Sequence, residues 1–174
     1  MKQLLLHHCC APCSPSVVAS FVKRFAVSSF WFNPNIQPAQ EYTSRYESLK
    51  KFVGSQGLAL SEGPAYSQDQ WIAAATASPD RCTFCYRLRL TEAAKAAQAN
   101  DMSFFSTTLL ASPYQKHGLI RDIGNDIGAA LGVAFVYEDF RAQFYQGKDI
   151  ARTQGCYMQK YCGCLFSKEE RGIK

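Results

Sequence analysis

Leu4-Leu5-Leu6-His7-His8-Cys9-Cys10-Ala11-Pro12-Cys13-Ser14-Pro15-Ser16-Val17-Val18 is the stretch on which the reading of this chain turns. Leu4 to His7 is an apolar run of strand length. Ser14 and Pro15 then supply a helix cap and a first helical position, where proline's missing N–H costs nothing. Val17, Val18, Phe21, Val22 and Phe25 follow at helical spacing. Between strand and helix lie three cysteines. In a regular strand Cys9 and Cys10 would point to opposite faces, so they serve one centre only if the strand has ended before them. Ala11-Pro12 indicates that it has. The amides and dipole at the start of the following helix favour thiolate at these positions.

The same alternation continues outward along the chain. Val27 to Phe32 reads as a second strand, ending at the turn Asn33-Pro34-Asn35. Tyr42, Tyr46, Leu49 and Val53 mark a second helix, stopped near Gly54 and Gly57. Leu58 to Leu60 is a weaker third strand. Helices are expected over Ser67 to Ala77 and Thr83 to Ala99, the latter with Tyr86, Leu90, Ala94 and Ala97 on one face. Ser103 to Ser106 is the fourth strand, Gln115 to Leu131 a helix carrying Ile120, Ile123 and Ile127, and Val133 to Tyr137 the fifth strand.

Strands alternating with helices imply right-handed crossovers and a three-layer, doubly wound, mainly parallel sheet of about five strands. The expected organisation is a single domain over 1–174. Residues 1–137 form its α/β core, and 138–174 a helical, cysteine-bearing extension that completes the site. Functional groups in such folds gather beyond the carboxyl ends of the strands. Cys9, Cys10 and Cys13 after strand one, Asn33 after strand two, and Thr107 and Thr108 after strand four should therefore share one rim.

The chain has 174 residues, 47% hydrophobic and 19% charged, which excludes a disordered segment and permits a sizeable core. The apolar run before His7 is too short for a secretory signal, and no later stretch approaches a membrane span, so a cytoplasmic protein is expected. A net charge of +5 suits an acidic partner such as RNA without selecting one. Eight cysteines in a reducing compartment point to metal binding or redox catalysis rather than a disulfide framework.

Seven of the eight fall in three clusters: Cys9-Cys10-x-x-Cys13, Cys82-x-x-Cys85 and Cys162-x-Cys164. C-x-x-C lets two thiolates curl around one metal, and spacing alone does not separate zinc from an iron–sulfur cluster. A chain that already buries a core has less need of structural zinc, which favours a reactive centre. Cys162-Gly163-Cys164 has two readings: a strained disulfide that cycles readily, or two metal ligands. Cys13 lies close enough to touch the site without being a ligand. Cys156 reads as a small buried hydrophobe.

Several segments together resemble the QueH family of epoxyqueuosine reductases. They are Leu5 to Cys13, Phe32-Asn33-Pro34-Asn35-Ile36-Gln37-Pro38, Glu41-Tyr42 and Arg81-Cys82-Thr83-Phe84-Cys85-Tyr86. Ser106 to His117, Asp139-Phe140-Arg141 and Tyr161-Cys162-Gly163-Cys164 continue the match in the family's order. The resemblance implies a HUP-type, adenine nucleotide α-hydrolase-like sheet and reduction of epoxyqueuosine to queuosine at the wobble base of tRNA. It further implies that Cys9, Cys10, Cys82 and Cys85 hold a [4Fe–4S] cluster, that Cys162 and Cys164 are the redox pair, and that an additional mononuclear iron sits beside the cluster in some members. Some members carry aspartate where this chain has Cys13, so no carboxylate role transfers there.

Related ATP-using proteins of this fold carry a glycine-rich phosphate loop after strand one. His8 to Cys13 contains no glycine, so ATP is not expected. Epoxide removal needs electrons from a donor the sequence does not identify. Tyr114, His117 and His8 are candidate proton donors; Asn33, Asn35, Tyr114, Gln115 and His117 are candidate substrate contacts, with Tyr86 stacking on the base. Arg81, Arg87, Arg89, Lys116 and Arg121 are candidate phosphate contacts. Two competing readings are a tRNA-thiolating enzyme of the same fold, which requires ATP, and a non-catalytic zinc-stabilised RNA-binding module, which would be colourless.

Overall fold

Leu4, Leu5 and Leu6 are at most 1% exposed, so consecutive side chains on opposite faces of one strand are both out of water. Only a central strand covered on two sides satisfies that condition. The computed structural model describes residues 1–173, and there Lys2–His7 is strand β1 at the middle of the sheet. Burying three leucines contributes on the order of 1.5–3 kcal/mol each.

The remaining elements follow in order: α1 Ser14–Phe21, β2 Phe25–Trp31, α2 Ala39–Ser55, β3 Leu60–Glu62, α3 Gln68–Ala77, α4 Arg81–Ala99, β4 Phe104–Thr107, α5 His117–Leu131, β5 Ala134–Phe135, α6 Phe144–Thr153 and α7 Leu165–Glu170. The sheet order is β3-β2-β1-β4-β5, and every neighbouring pair is parallel. The chain winds outward from β1 through β2 to β3, then returns to the other side of β1 for β4 and β5. The switch point lies between β1 and β4. Helices α4 and α5 pack on each other and over β1, β4 and β5, while α1 packs with α6. The α/β sheet of about five strands expected from the pattern is therefore present, and where a mainly parallel sheet was expected every pair is parallel.

Each strand departs from its expected bounds by a residue or two: β2 begins at Phe25, which the helical spacing places on the first helix, and β3 and β5 have local causes. Gly57 turns with φ 66° and the Leu58 N–H still closes on Val53 in the last turns of α2, so the first bond to β2 is made by the Ala59 carbonyl and the paired residues begin at Leu60. The last strand pairs over two residues alone, opposite Phe104 and Phe105. Beyond them Val136 is held by its N–H to Phe105 and by the Ser106 hydroxyl on its carbonyl. Ser14 is the first residue of α1 rather than its cap; Cys13 holds the cap position without a side-chain bond.

Candidate metal centre

His7 ends β1 and pins both neighbouring strands. Its Nε2–H donates to the Phe32 carbonyl (3.1 Å), leaving Nδ1 to accept from the Thr107 hydroxyl (2.9 Å). His8 sits equally deep. The Ser14 hydroxyl donates to the Cys10 carbonyl (2.8 Å), so it accepts from His8 Nδ1, and Ser29 completes the ring's contacts at Nε2 (3.0 Å). Burial pushes His7 down to about 3 and His8 down to about 4, so both are neutral scaffold. His8, a candidate proton donor by sequence, has both nitrogens spent inside the core.

On this base the strand ends and the cysteine turn begins. Thr108, just past β4, accepts from the Cys9 N–H (2.9 Å) and donates to the Cys9 sulfur (3.2 Å), tying the turn across the switch point. The sulfurs of Cys9, Cys10 and Cys13 all lie within 4.8 Å of one another, with 3.6 Å between Cys9 and Cys10. Cys13 is thus part of the group and not merely beside it. Hydrogen bonds from Cys10 and Cys13, with the Arg89 charge and Thr108, hold the Cys9 thiol well below its usual range. Burial raises Cys10, and donation to its neighbours raises Cys13. Of the three, Cys9 is the sulfur most readily ionised.

The second group of sulfurs comes from α4. Asp80 caps that helix by accepting from the Cys82 N–H (3.1 Å). Cys82, Cys85 and Arg89 then fall at i, i+3 and i+7 on one face. Arg89 is only 2% exposed and donates to Cys85 (3.7 Å) and to Asn33 Oδ1 (2.5 Å), while its Nε has no partner among the described residues. Asn33 in turn donates to the His8 carbonyl (2.8 Å). Burial pushes the Cys85 thiol up to about 12, and raises Cys82 as well.

The third group arrives on the C-terminal segment. Arg45, on α2 and 2% exposed, is oriented by Glu41 (2.8 Å) and donates to the carbonyls of Cys162 (2.9 Å) and Tyr161 (3.0 Å). Gln37 accepts from the Leu165 N–H (3.1 Å) and donates its own N–H to Gly163 (2.9 Å). Gly163 has φ 145°, and a Cβ there would meet Asn35 Nδ2 at 2.9 Å and Ile36 at 3.2 Å. Only glycine fits that approach. Cys164 caps α7 and packs with Cys85 under Trp71, whereas Cys162 is exposed and receives Gln115 Nε2 at 3.5 Å.

All seven clustered cysteines line one cavity of about 300 Å³ at the carboxyl ends of the strands. Cys156 lies apart from the cavity, as its isolation in sequence suggests, but it is half-buried rather than the buried hydrophobe expected. Among the candidate substrate contacts, Asn35, Tyr114 and Gln115 line the cavity, with Tyr86 donating to Gln115 (2.6 Å). Asn33 and His117 lie outside the lining. Asn33 is spent on Arg89 and His8, and His117 donates to the Ser112 carbonyl (3.0 Å) at the start of α5. Among the candidate phosphate contacts, Arg89 is buried beneath the sulfurs, while Arg87 and Arg121 pair with Asp126 and Asp122 away from the cavity. Sequence reasoning passed over Arg45, Trp71 and Gln159, the last donating to Cys10 (2.7 Å). Arg45 was detectable: Glu41, Arg45, Leu49 and Val53 recur every fourth residue, placing a charge in the apolar stripe of α2.

The donors suit a thiophilic centre. Seven cysteine thiols line the cavity, Glu170 is the only carboxylate in the lining among the described residues, and the buried guanidinium of Arg89 offsets thiolate charge. A parallel α/β sheet carries, at its switch point, a cysteine-lined cavity whose Cys9, Cys10 and Cys13 could hold a metal ion. The chain belongs to the QueH family of epoxyqueuosine reductases, placing it among oxidoreductases: the family model described as Epoxyqueuosine reductase QueH matches residues 4–170. It is similar to the Epoxyqueuosine reductase QueH of Dehalococcoides mccartyi, 35% identical over 97% of this chain and 94% of that protein. The protein of the same name from Thermotoga maritima is 33% identical over 100% of this chain and 94% of its own length.

Proposed function

We propose that this protein reduces the epoxide of epoxyqueuosine in tRNA to the cyclopentene of queuosine. The observation that carries the reading is the meeting of seven cysteines, from three remote parts of the chain, around one cavity in a member of this family. Cys9, Cys10, Cys82 and Cys85 would hold a [4Fe–4S] cluster, with Cys13 close enough to bear on an additional iron. When bound, such a centre supplies single electrons and Lewis acidity toward the epoxide oxygen.

Cys162 and Cys164 are the proposed redox pair. Their oxidation to a disulfide releases two electrons and two protons, and departure of the epoxide oxygen as water consumes the same number. A separate electron donor then restores the dithiol. Cys162 is the exposed member and so the one that meets substrate, while Cys164 is fixed by its cap on α7. Asn35, Tyr114 and Gln115 would contact the flipped base. Residues 138–174 work with the core as one unit, because they bring these two sulfurs to the site.

Anaerobically purified protein incubated with tRNA carrying epoxyqueuosine and a chemical reductant tests the reading. Nucleoside mass spectrometry should show loss of one oxygen mass and appearance of queuosine. A colourless protein with stoichiometric zinc and no conversion would overturn it.

A further inference from the structure

Besides buried Arg45 and Arg89, five basic side chains ring the mouth of the sulfur cavity: Arg81, Lys116, Lys148, Lys160 and Arg171. One acid, Glu170, accompanies them. The chain as a whole has 19 basic and 14 acidic residues, so a mixed surface would have placed several acids here. Arg81 is paired with Glu170, and Lys116 reaches Asp80 at 3.5 Å. Lys148 and Lys160 have no ion pair among the described residues. Among the described residues Arg171 donates only to the Lys160 carbonyl (3.0 Å).

At the same rim stands Tyr114, 65% exposed despite its size. It is held rather than loose: the Arg171 guanidinium lies 5.1 Å from its ring centre, and Phe144 packs against it at 5.9 Å in a T-shaped arrangement. A fixed exposed ring beside cations is the combination that binds unpaired nucleotides, with bases on aromatics and phosphates on charges. The sulfurs lie behind this rim, so a base reaches them only by leaving its stack.

We infer that this rim is the landing surface for a single-stranded stretch of RNA, with Lys148, Lys160 and Arg171 on phosphates and Tyr114 stacked on a base. The inference rests on the proposed tRNA substrate and says where that tRNA is gripped. Three unpaired cations give a dependence of log affinity on log salt of about −2, steepening to roughly −3.5 if Arg81 and Lys116 also engage.

The test uses the full chain and tRNA carrying epoxyqueuosine, with binding followed by fluorescence anisotropy across a salt series. The double variant Lys148→Gln, Lys160→Gln should weaken binding about tenfold and flatten the slope by about 1.4. Tyr114→Ala should weaken binding on the order of tenfold and leave the slope in place. Metal content and melting temperature of each variant report folding. Unchanged affinity and slope in folded variants, while the wild type converts the tRNA, would overturn the landing surface and leave the reductase reading standing. Weakened binding in the variants with a wild type that converts nothing would support the surface and count against the reductase.

Discussion

Arg45 donates to the carbonyl oxygen of Cys162 at 2.9 Å, joining two residues 117 positions apart. The same guanidinium reaches Tyr161 and is steered by Glu41, so one buried charge holds the C-terminal sulfurs against the sheet. Arg45→Ala leaves two carbonyls without their donor and the Glu41 carboxylate with the Tyr157 hydroxyl alone, a loss of about 3–5 kcal/mol. Lysine cannot reproduce the fork, so Arg45→Lys should recover only part of it. Urea unfolding with alkylation of Cys162 checks both. A variant with unchanged midpoint and unchanged Cys162 reactivity would refute the role.

Gly163 sets the tightest steric limit at the site. Adding one methyl forces it against Asn35 and Ile36, at a backbone φ of 145° that L residues rarely adopt. Gly163→Ala should cost about 1–3 kcal/mol and reduce conversion of the tRNA, because the strain falls between Cys162 and Cys164. Thermal melting and turnover measured on one preparation separate the two effects. A melting curve superimposable on wild type would show that the loop has room to move.

Much of this architecture is legible in the sequence, for a physical reason. Leu4 to Leu6 are buried on both faces, and that double burial writes a continuous apolar run which alternation cannot imitate. The rim followed from topology, since parallel strands put their carboxyl ends together. The polar framework was less legible. Whether Asn33 touches substrate or a buried arginine depends on contacts 56 residues away in sequence. Arg89 has the chemistry of a phosphate contact and the location of a core residue, and only packing decides between them. Gln159 carries no local pattern at all.

Arg89 lies under the sulfurs with its Nε–H unpartnered among the described residues. Arg89→Met removes the buried cation and strips Asn33 Oδ1 of its donor. Metal retention should fall about 10–100-fold, as for other groups that orient and neutralise ligands without binding metal themselves. Competition against a chelator, read by iron analysis, measures this. Retention equal to wild type would mean the guanidinium plays no part in holding the centre.

Serine replacements distinguish the sulfurs that hold the centre from those that turn over. Cys9, Cys10, Cys82 and Cys85 come from the two strand- and helix-end turns that build the cavity's inner wall. Cys162 is exposed, and both Cys162 and Cys164 arrive on a segment held by Arg45 and Gln37. Serine at any of the first four should bleach the visible absorption of the anaerobic protein and remove its iron. Serine at Cys162 or Cys164 should leave the colour and abolish conversion, because one hydroxyl cannot close a disulfide. The second pair therefore has a signature that unfolding does not share: full iron content with no product. Loss of iron in Cys162→Ser would instead make that sulfur a ligand, and the two electrons would have to come from somewhere other than the Cys162/Cys164 dithiol.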